Sequence, residues 1–108
     1  MADRRYILSG AAVVDLGHLY DRGIDHFGLT AADQYYHGLI ARFEQIADSP
    51  QLWPAVEHIR AGYRRSVYRA HSIFYRIETT GVLIVRVLGR ESPAANLPDV
   101  DGLPRAPA

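Results

Sequence analysis

The hydrophobic period of this chain changes once, across the connector from Pro50 to Pro54, and that change restricts the fold to helices followed by strands. Before the connector, Ala12, Leu16, Leu19, Tyr20 and Phe27 recur at helical intervals, and so do Ala32, Tyr36, Leu39, Phe43, Ile46 and Ala47. Each set is one apolar stripe of an amphipathic helix. Ser9 is placed to cap the first helix and Gly28 to end it. Thr30, with Asp33 three residues on, is expected to cap the second, which Ser49 and Pro50 stop. With only Gly28 and Leu29 between them, the helices must double back as a hairpin, each about 25 Å long at about 1.5 Å per residue. Gly17 and Gly23 each cost up to about 1 kcal/mol relative to alanine inside a helix. Either the helix is weak there or another backbone comes close. A short strand over residues 5–8 is expected to precede the hairpin.

After the connector, whose Trp53 is expected to anchor the loop or join the core, three strand-like runs follow at residues 63–69, 71–78 and 82–88. Their links are short enough only for hairpins. A three-residue loop at Thr79, Thr80 and Gly81 would set Glu78 opposite Val82 and Ile77 opposite Leu83. Ile73, Tyr75 and Ile77 then share a face with Leu83, Val85 and Val87, where the helices should pack. The opposite face, expected to be open, presents Phe74, Arg76, Ile84 and Arg86. The fold class is therefore α+β: an N-terminal strand and an antiparallel helical hairpin packed on a small antiparallel sheet. Residues 1–91 form the single domain. Residues 92–108, which carry Pro93, Pro98, Pro104 and Pro107, are expected to form a flexible tail with one helical turn near 94–97.

Composition limits the function classes. At 108 residues the chain has room for one core, and a partner that covers apolar surface would add to a small stability margin. Without cysteine there is neither a disulfide nor a thiolate metal site, and five histidines at 18, 26, 37, 58 and 71 lack zinc-ligand spacing. No metal or cofactor is expected. With no signal-peptide pattern and no run of about 18 apolar residues, the expected location is the cytoplasm. All twelve basic residues are arginine. Residues 1–59 hold four of them against eight Asp and Glu, whereas residues 60–90 hold seven against Glu78 alone. So basic a segment implies either an anionic partner or a solvated charged face.

The order of elements and the arginine-rich second half resemble the RelE/ParE toxin superfamily, and its ParE branch in particular. The resemblance is carried by YILSGAAVVDLGHLY at 6–20, GLIARFEQIADSP at 38–50, IRAGYRRSVYRAHSIFYRI at 59–77 and VLIVRVLGR at 82–90. It implies the toxin of a type II toxin-antitoxin system, which stalls DNA gyrase on cleaved DNA. A ParD-like antitoxin would wrap the toxin with a flexible segment and carry the complex to operator DNA. Antitoxin contacts are expected at Arg64, Arg69, Phe74, Arg76, Ile84 and Arg86, and gyrase contacts at Arg90, Glu91, Ser92 and Pro93.

The sibling branch resembling RelE cuts messenger RNA on the ribosome, which makes an endoribonuclease the competing reading. Attack by a ribose 2'-hydroxyl needs a base, an acid for the leaving oxygen and cations for the phosphate. Arginine supplies only the last, because guanidinium stays protonated. The lysines of that branch, or its terminal His-Tyr pair, are missing: the segment after the last strand reads Gly89-Arg90-Glu91-Ser92. No catalytic residue is assigned, with Glu57, His71 and Glu91 left as candidate bases and Tyr68 and Tyr75 as candidate acids. A third reading, a nucleic-acid binder with stacking aromatics, rests on Tyr63 and Tyr68 alone.

Overall fold

The computed structural model describes residues 6–99. Its elements are β1 (Tyr6–Leu8), α1 (Gly10–Phe27), α2 (Leu29–Asp48), β2 (Arg64–Tyr68), β3 (His71–Glu78), β4 (Gly81–Leu88) and α3 (Pro93–Asn96). The sheet runs β1-β4-β3-β2; the last three strands are antiparallel and β1 joins β4 in parallel, so the sheet is mixed. Arg5, at the start of the expected first strand, lies outside the described residues. No helix among the described residues is long and apolar enough to cross a membrane.

Ser9 caps α1, its hydroxyl accepting from the Ala12 N–H at 3.0 Å. Ala12, Leu16 and Leu19 are buried as the stripe requires, but Phe27, the last residue of α1, is 77% exposed. The turn is tighter than Thr30 capping allows: α2 begins at Leu29 and Gly28 serves both helices. Its N–H donates to Ile24 and its C=O accepts from Ala32, at φ 89°, where a side chain would be strained. Ala32, Leu39, Phe43, Ile46 and Ala47 are buried on α2. At Gly23 a Cβ would stand 3.3 Å from the Ala32 Cβ, so close helix approach explains that glycine.

The expected strand register is off by one. Glu78 pairs with Gly81 and Ile77 with Val82, leaving a two-residue loop at Thr79 and Thr80. Val82 and Ile84 therefore face the helices beside Ile73 and Tyr75. A bulge at Val85 of β4, which is left unpaired between Ile84 opposite Tyr75 and Arg86 opposite Phe74, then shifts the strand, so that Val87 also faces the helices while Val85 and Leu88 turn away. Groups at and beside the bulge are taken up by α1. Ser9 Oγ donates to the Val85 C=O at 2.6 Å, and the Val87 N–H donates to Asp15 at 2.9 Å.

The second sheet face is not open. Val56 and Tyr63 from the segment between α2 and β2 and Leu97 from the C-terminal segment cover Phe74, Val85 and Leu88 in a second cluster. Leu97 is buried, and the Tyr63 hydroxyl donates to the Pro98 C=O at 2.7 Å. Leu97 thus packs against the sheet beyond the expected boundary at 91, an apolar contact that the Pro- and Ala-rich composition concealed, while Ser92, Ala94, Ala95 and Pro98 around it stay exposed. The expected helical turn is present one residue early, at Pro93–Asn96.

Asp15 holds these layers together: Arg86 Nε and Nη2 each donate to its carboxylate at 2.8 Å. Asp15→Ala removes that acceptor from a guanidinium only 20% exposed and is expected to cost about 2–4 kcal/mol, measured by urea unfolding against wild type.

Candidate functional site

Towards the hairpin tip, the C-terminal half of α1, the N-terminal half of α2 and the β2–β3 turn enclose a groove of about 510 Å³. Its floor is made of small residues, Gly23, Ala31 and Ala32, and its back wall of Tyr35 and Tyr68, whose rings meet edge to face at 5.3 Å. Tyr68 is seated on Gly38: a Cβ there would fall 1.8 Å from its hydroxyl oxygen. Arg42 locks the same ring from below. Its guanidinium lies 5.4 Å from the Tyr68 ring and 5.5 Å from the Trp53 ring, and it donates to Ser66 Oγ and to the Val67 C=O at 2.8 and 2.9 Å. Arg69 adopts φ 53° in the turn, with its guanidinium 5.6 Å from Tyr68. Arg22, His26 and Arg69 line the exposed sides, and no carboxylate lines this groove.

A second cavity of about 570 Å³ shares Arg22, Ala70 and His71 with the groove and adds Gly89, Arg90 and Glu91. The Tyr35 hydroxyl lies 2.7 Å from His71 Nδ1 and 3.2 Å from the Tyr68 C=O. If the hydroxyl proton goes to that carbonyl, His71 carries its proton on Nδ1 and Nε2 is an acceptor beside Gly89. Burial lowers the His71 pKa, with Glu91 opposing and Arg22 adding to the effect. Glu91 is held below the ordinary carboxylate range, first by its own backbone N–H and then, against some desolvation, by the Gly89 N–H at 2.8 Å. Neutral histidine and ionised carboxylate both accept protons, so the pair contains no acid.

Of the candidate bases and acids, His71 and Glu91 share a cavity and Tyr68 lines the adjoining groove with its hydroxyl seated on Gly38, but Glu57 and Tyr75 stand apart. Glu57 accepts from the Gly62 N–H in the segment before β2 and does not line the His71 cavity. Tyr75 is sealed in the core, donates to the Pro50 C=O at 2.5 Å, and burial pushes it up to about 12. Tyr63 is fully buried, which removes it as a stacking platform, and burial likewise raises its pKa. Among the described residues no three of His, Asp and Glu converge to hold a metal ion.

The expected antitoxin set is dispersed in the same way. Phe74 and Ile84 are fully buried on opposite faces of the sheet, Ile84 having changed face with the register. Arg76 is 8% exposed, donates to the Asp99 C=O and to Glu78, both at 2.9 Å, and lies 5.7 Å from the Tyr63 ring. Arg86 is bound by Asp15, which raises its pKa, and also contacts Asn96. Arg64 donates to the Trp53 C=O at 2.6 Å. Of the six, only Arg69 is exposed. Of the residues expected to contact gyrase, Arg90, Glu91 and Ser92 are exposed and Pro93 is half-buried. Arg22, Tyr35 and Gly38 were not singled out from the sequence as site residues, because the groove they shape depends on three separate elements.

Comparison with known proteins gives one answer. Residues 6–93 match the family described as the ParE toxin of the type II toxin-antitoxin system parDE. The toxin ParE1 of Mycobacterium tuberculosis is 36% identical over 85 residues, 78% of this chain and 87% of that one. The toxin ParE1 of Caulobacter vibrioides is 37% identical over 83 residues, covering 77% and 85%. A solved structure described as a chromosomal ParDE TA system from P. aeruginosa has the same fold at a TM-score of 0.63, with 19% identity over 80% of this chain and 95% of that chain.

Two outcomes follow from the groove. Gly38→Ala gains at most about 1 kcal/mol of helix propensity but collides with a ring pinned on both sides, so a net loss of about 1–3 kcal/mol is expected by thermal or urea unfolding. For His71, the folded-state pKa lies below the unfolded value of about 6.5. Its contribution to stability is present above that value and is lost as pH falls through the folded pKa. An NMR titration of His71 should place its midpoint below 6.5, and His71→Gln should flatten the stability profile over that range.

Proposed function

The chain belongs to the ParE toxins of type II toxin-antitoxin systems, and we propose from that membership that it binds DNA gyrase, blocks replication and is neutralised by a ParD-like antitoxin. The observation that carries the reading is the family match across residues 6–93, joined to an exposed edge directly after β4. On this reading Arg90, Glu91, Ser92 and Pro93 meet gyrase. Arg69 meets the antitoxin directly. Arg64, Arg76 and Arg86 act through the fold, holding the connector and the C-terminal segment from which that edge is displayed. The toxin works in the cytoplasm without cofactor, catalysis or membrane, and reaches operator DNA only through the antitoxin.

One arrangement favours a second reading, a RelE-like ribonuclease: His71, Glu91, Arg22 and Arg90 line a single open cavity. His71 would serve as base for a 2'-hydroxyl and the arginines as phosphate clamps. The leaving 5'-oxygen would lack a proton donor in this cavity, since Glu91 is ionised, Tyr75 is sealed away, and Tyr68 lines only the neighbouring groove with its hydroxyl seated on Gly38. The gyrase reading is therefore preferred.

Supercoiling by gyrase and ribosome-dependent messenger RNA cleavage, run on one preparation, separate the two. Trapped gyrase–DNA complexes with intact RNA are expected, and Arg90→Ala should raise the toxin concentration needed by about tenfold, the equivalent of one lost contact of about 1.4 kcal/mol. Cut RNA with normal supercoiling would reverse the assignment.

A further inference from the structure

We propose that the turn after β4, with Arg22 of α1 beside it, is a phosphodiester site that the free toxin fills with its own Glu91 carboxylate, and that it takes a backbone phosphate of the DNA held by gyrase. The phosphate site stands on geometry, and its placement on that DNA rests on the gyrase reading above. Most arginines are already committed. Arg42, Arg60, Arg64, Arg76 and Arg86 each donate to a hydroxyl, carbonyl or carboxylate of the protein itself. Arg69 lies over Tyr68 and lines only the neighbouring groove. Arg22 and Arg90 are exposed, make no hydrogen bond or ion pair among the described residues, and line one cavity of about 570 Å³ from two different elements. Planar guanidinium forks of this kind match the oxygens of a phosphate.

The backbone supplies the rest of the site. The Gly89 N–H donates to Glu91 Oε1 at 2.8 Å, and the same carboxylate also takes the Glu91 N–H. Two amides of one short turn thus converge on an anion, as they do in the backbone concavities that bind phosphate. Glu91 is exposed, so its side chain leaves the turn without disturbing the core. Asp15, the nearest other carboxylate, is spent on Arg86 and on the Val87 N–H. A phosphate that replaces the Glu91 carboxylate therefore gains both amides and meets two arginines with no free carboxylate against it.

The lining reads a phosphate and not a base. His71 is the one ring in the cavity, and it is half-buried with its Nδ1 bound to Tyr35. Tyr68 belongs to the neighbouring groove, between the Arg42 and Arg69 guanidinia. With no free aromatic face for stacking, contact is limited to the backbone, which positions a protein on DNA without selecting a sequence. The site also lies within the edge assigned to gyrase, since Arg90 and Glu91 belong to both. One face of the toxin then touches the enzyme and the DNA it holds at the same time.

The test begins with an NMR titration of the full-length toxin with inorganic phosphate at constant ionic strength, following the Gly89 and Glu91 amide signals. Both are expected to shift saturably, with affinity weakened about threefold or more in Arg22→Ala and tightened about threefold or more in Glu91→Gln. Thermal melting checks that both variants fold. The gain in Glu91→Gln marks a competing internal anion, which a purely structural glutamate would not show. No saturable shift, or a response that neither variant alters, overturns the site. Short DNA and RNA oligomers of one sequence are titrated next. DNA bound at least as tightly as RNA is expected, and RNA bound about tenfold more tightly overturns the DNA assignment. Gyrase affinity is then measured with and without DNA. DNA is expected to tighten binding of the wild-type toxin, and Arg22→Ala to lose that increment while keeping its affinity for gyrase alone. No increment in wild type, or an equal one in Arg22→Ala, refutes the DNA contact and leaves the gyrase reading intact. A toxin that takes up phosphate as expected but binds gyrase in neither state refutes the gyrase reading, and the placement on DNA with it, while the phosphate site stands.

Discussion

Asp15 reaches β4 across 71 residues of chain and takes three N–H donors, two from Arg86 and one from the Val87 backbone. A carboxylate with one bidentate guanidinium and one backbone donor is a strong anchor in a partly dry setting. It sits where the antiparallel ladder has slipped by one residue, so the helix makes good the bonding that the bulge interrupts. Without the bulge, the alternation that places Ile84 over the helices would place Val87 on the far side. The main core needs both residues on one face, and α1 is what makes the slip sustainable.

Helices and strands were legible because each depends on a short-range period. The α2 stripe from Ala32 to Ala47 and the strand-like runs after the connector needed only their own residues to be read. Register was not legible, since it turned on whether Gly81 belonged to the loop or to the strand, a difference of one residue that moves every later side chain to the other face. The burial of Leu97 is hidden for another reason: it is one large apolar residue among prolines and alanines, and it packs in a cluster with Tyr63 and Phe74, which are distant in sequence.

The concentration of arginine in the second half suits either an anionic partner or a solvated charged face, yet much of it is spent inside the fold. Arg60 donates to the Ala94 C=O and lies 3.9 Å from Asp99, and Arg64, Arg76 and Arg86 each bind a backbone carbonyl. Carbonyl acceptors leave no trace in a sequence, so such pairings cannot be found by matching charges. A planar fork with several donors suits this work better than an ammonium group. Among the described residues, Arg69 and Arg90 of that half are exposed, and Arg22 of α1 lines the same two cavities as they do.

The segment from Gly89 to Pro93 is tied at both ends, by Leu88 in the sheet and by Leu97 beneath it. A short span closed in this way has little conformational freedom left to lose when another protein grips it. Cutting the chain after Arg90 would therefore do more than remove residues: it would turn a pinned arch into a fraying end, and each contact made there would have to offset the entropy of ordering it.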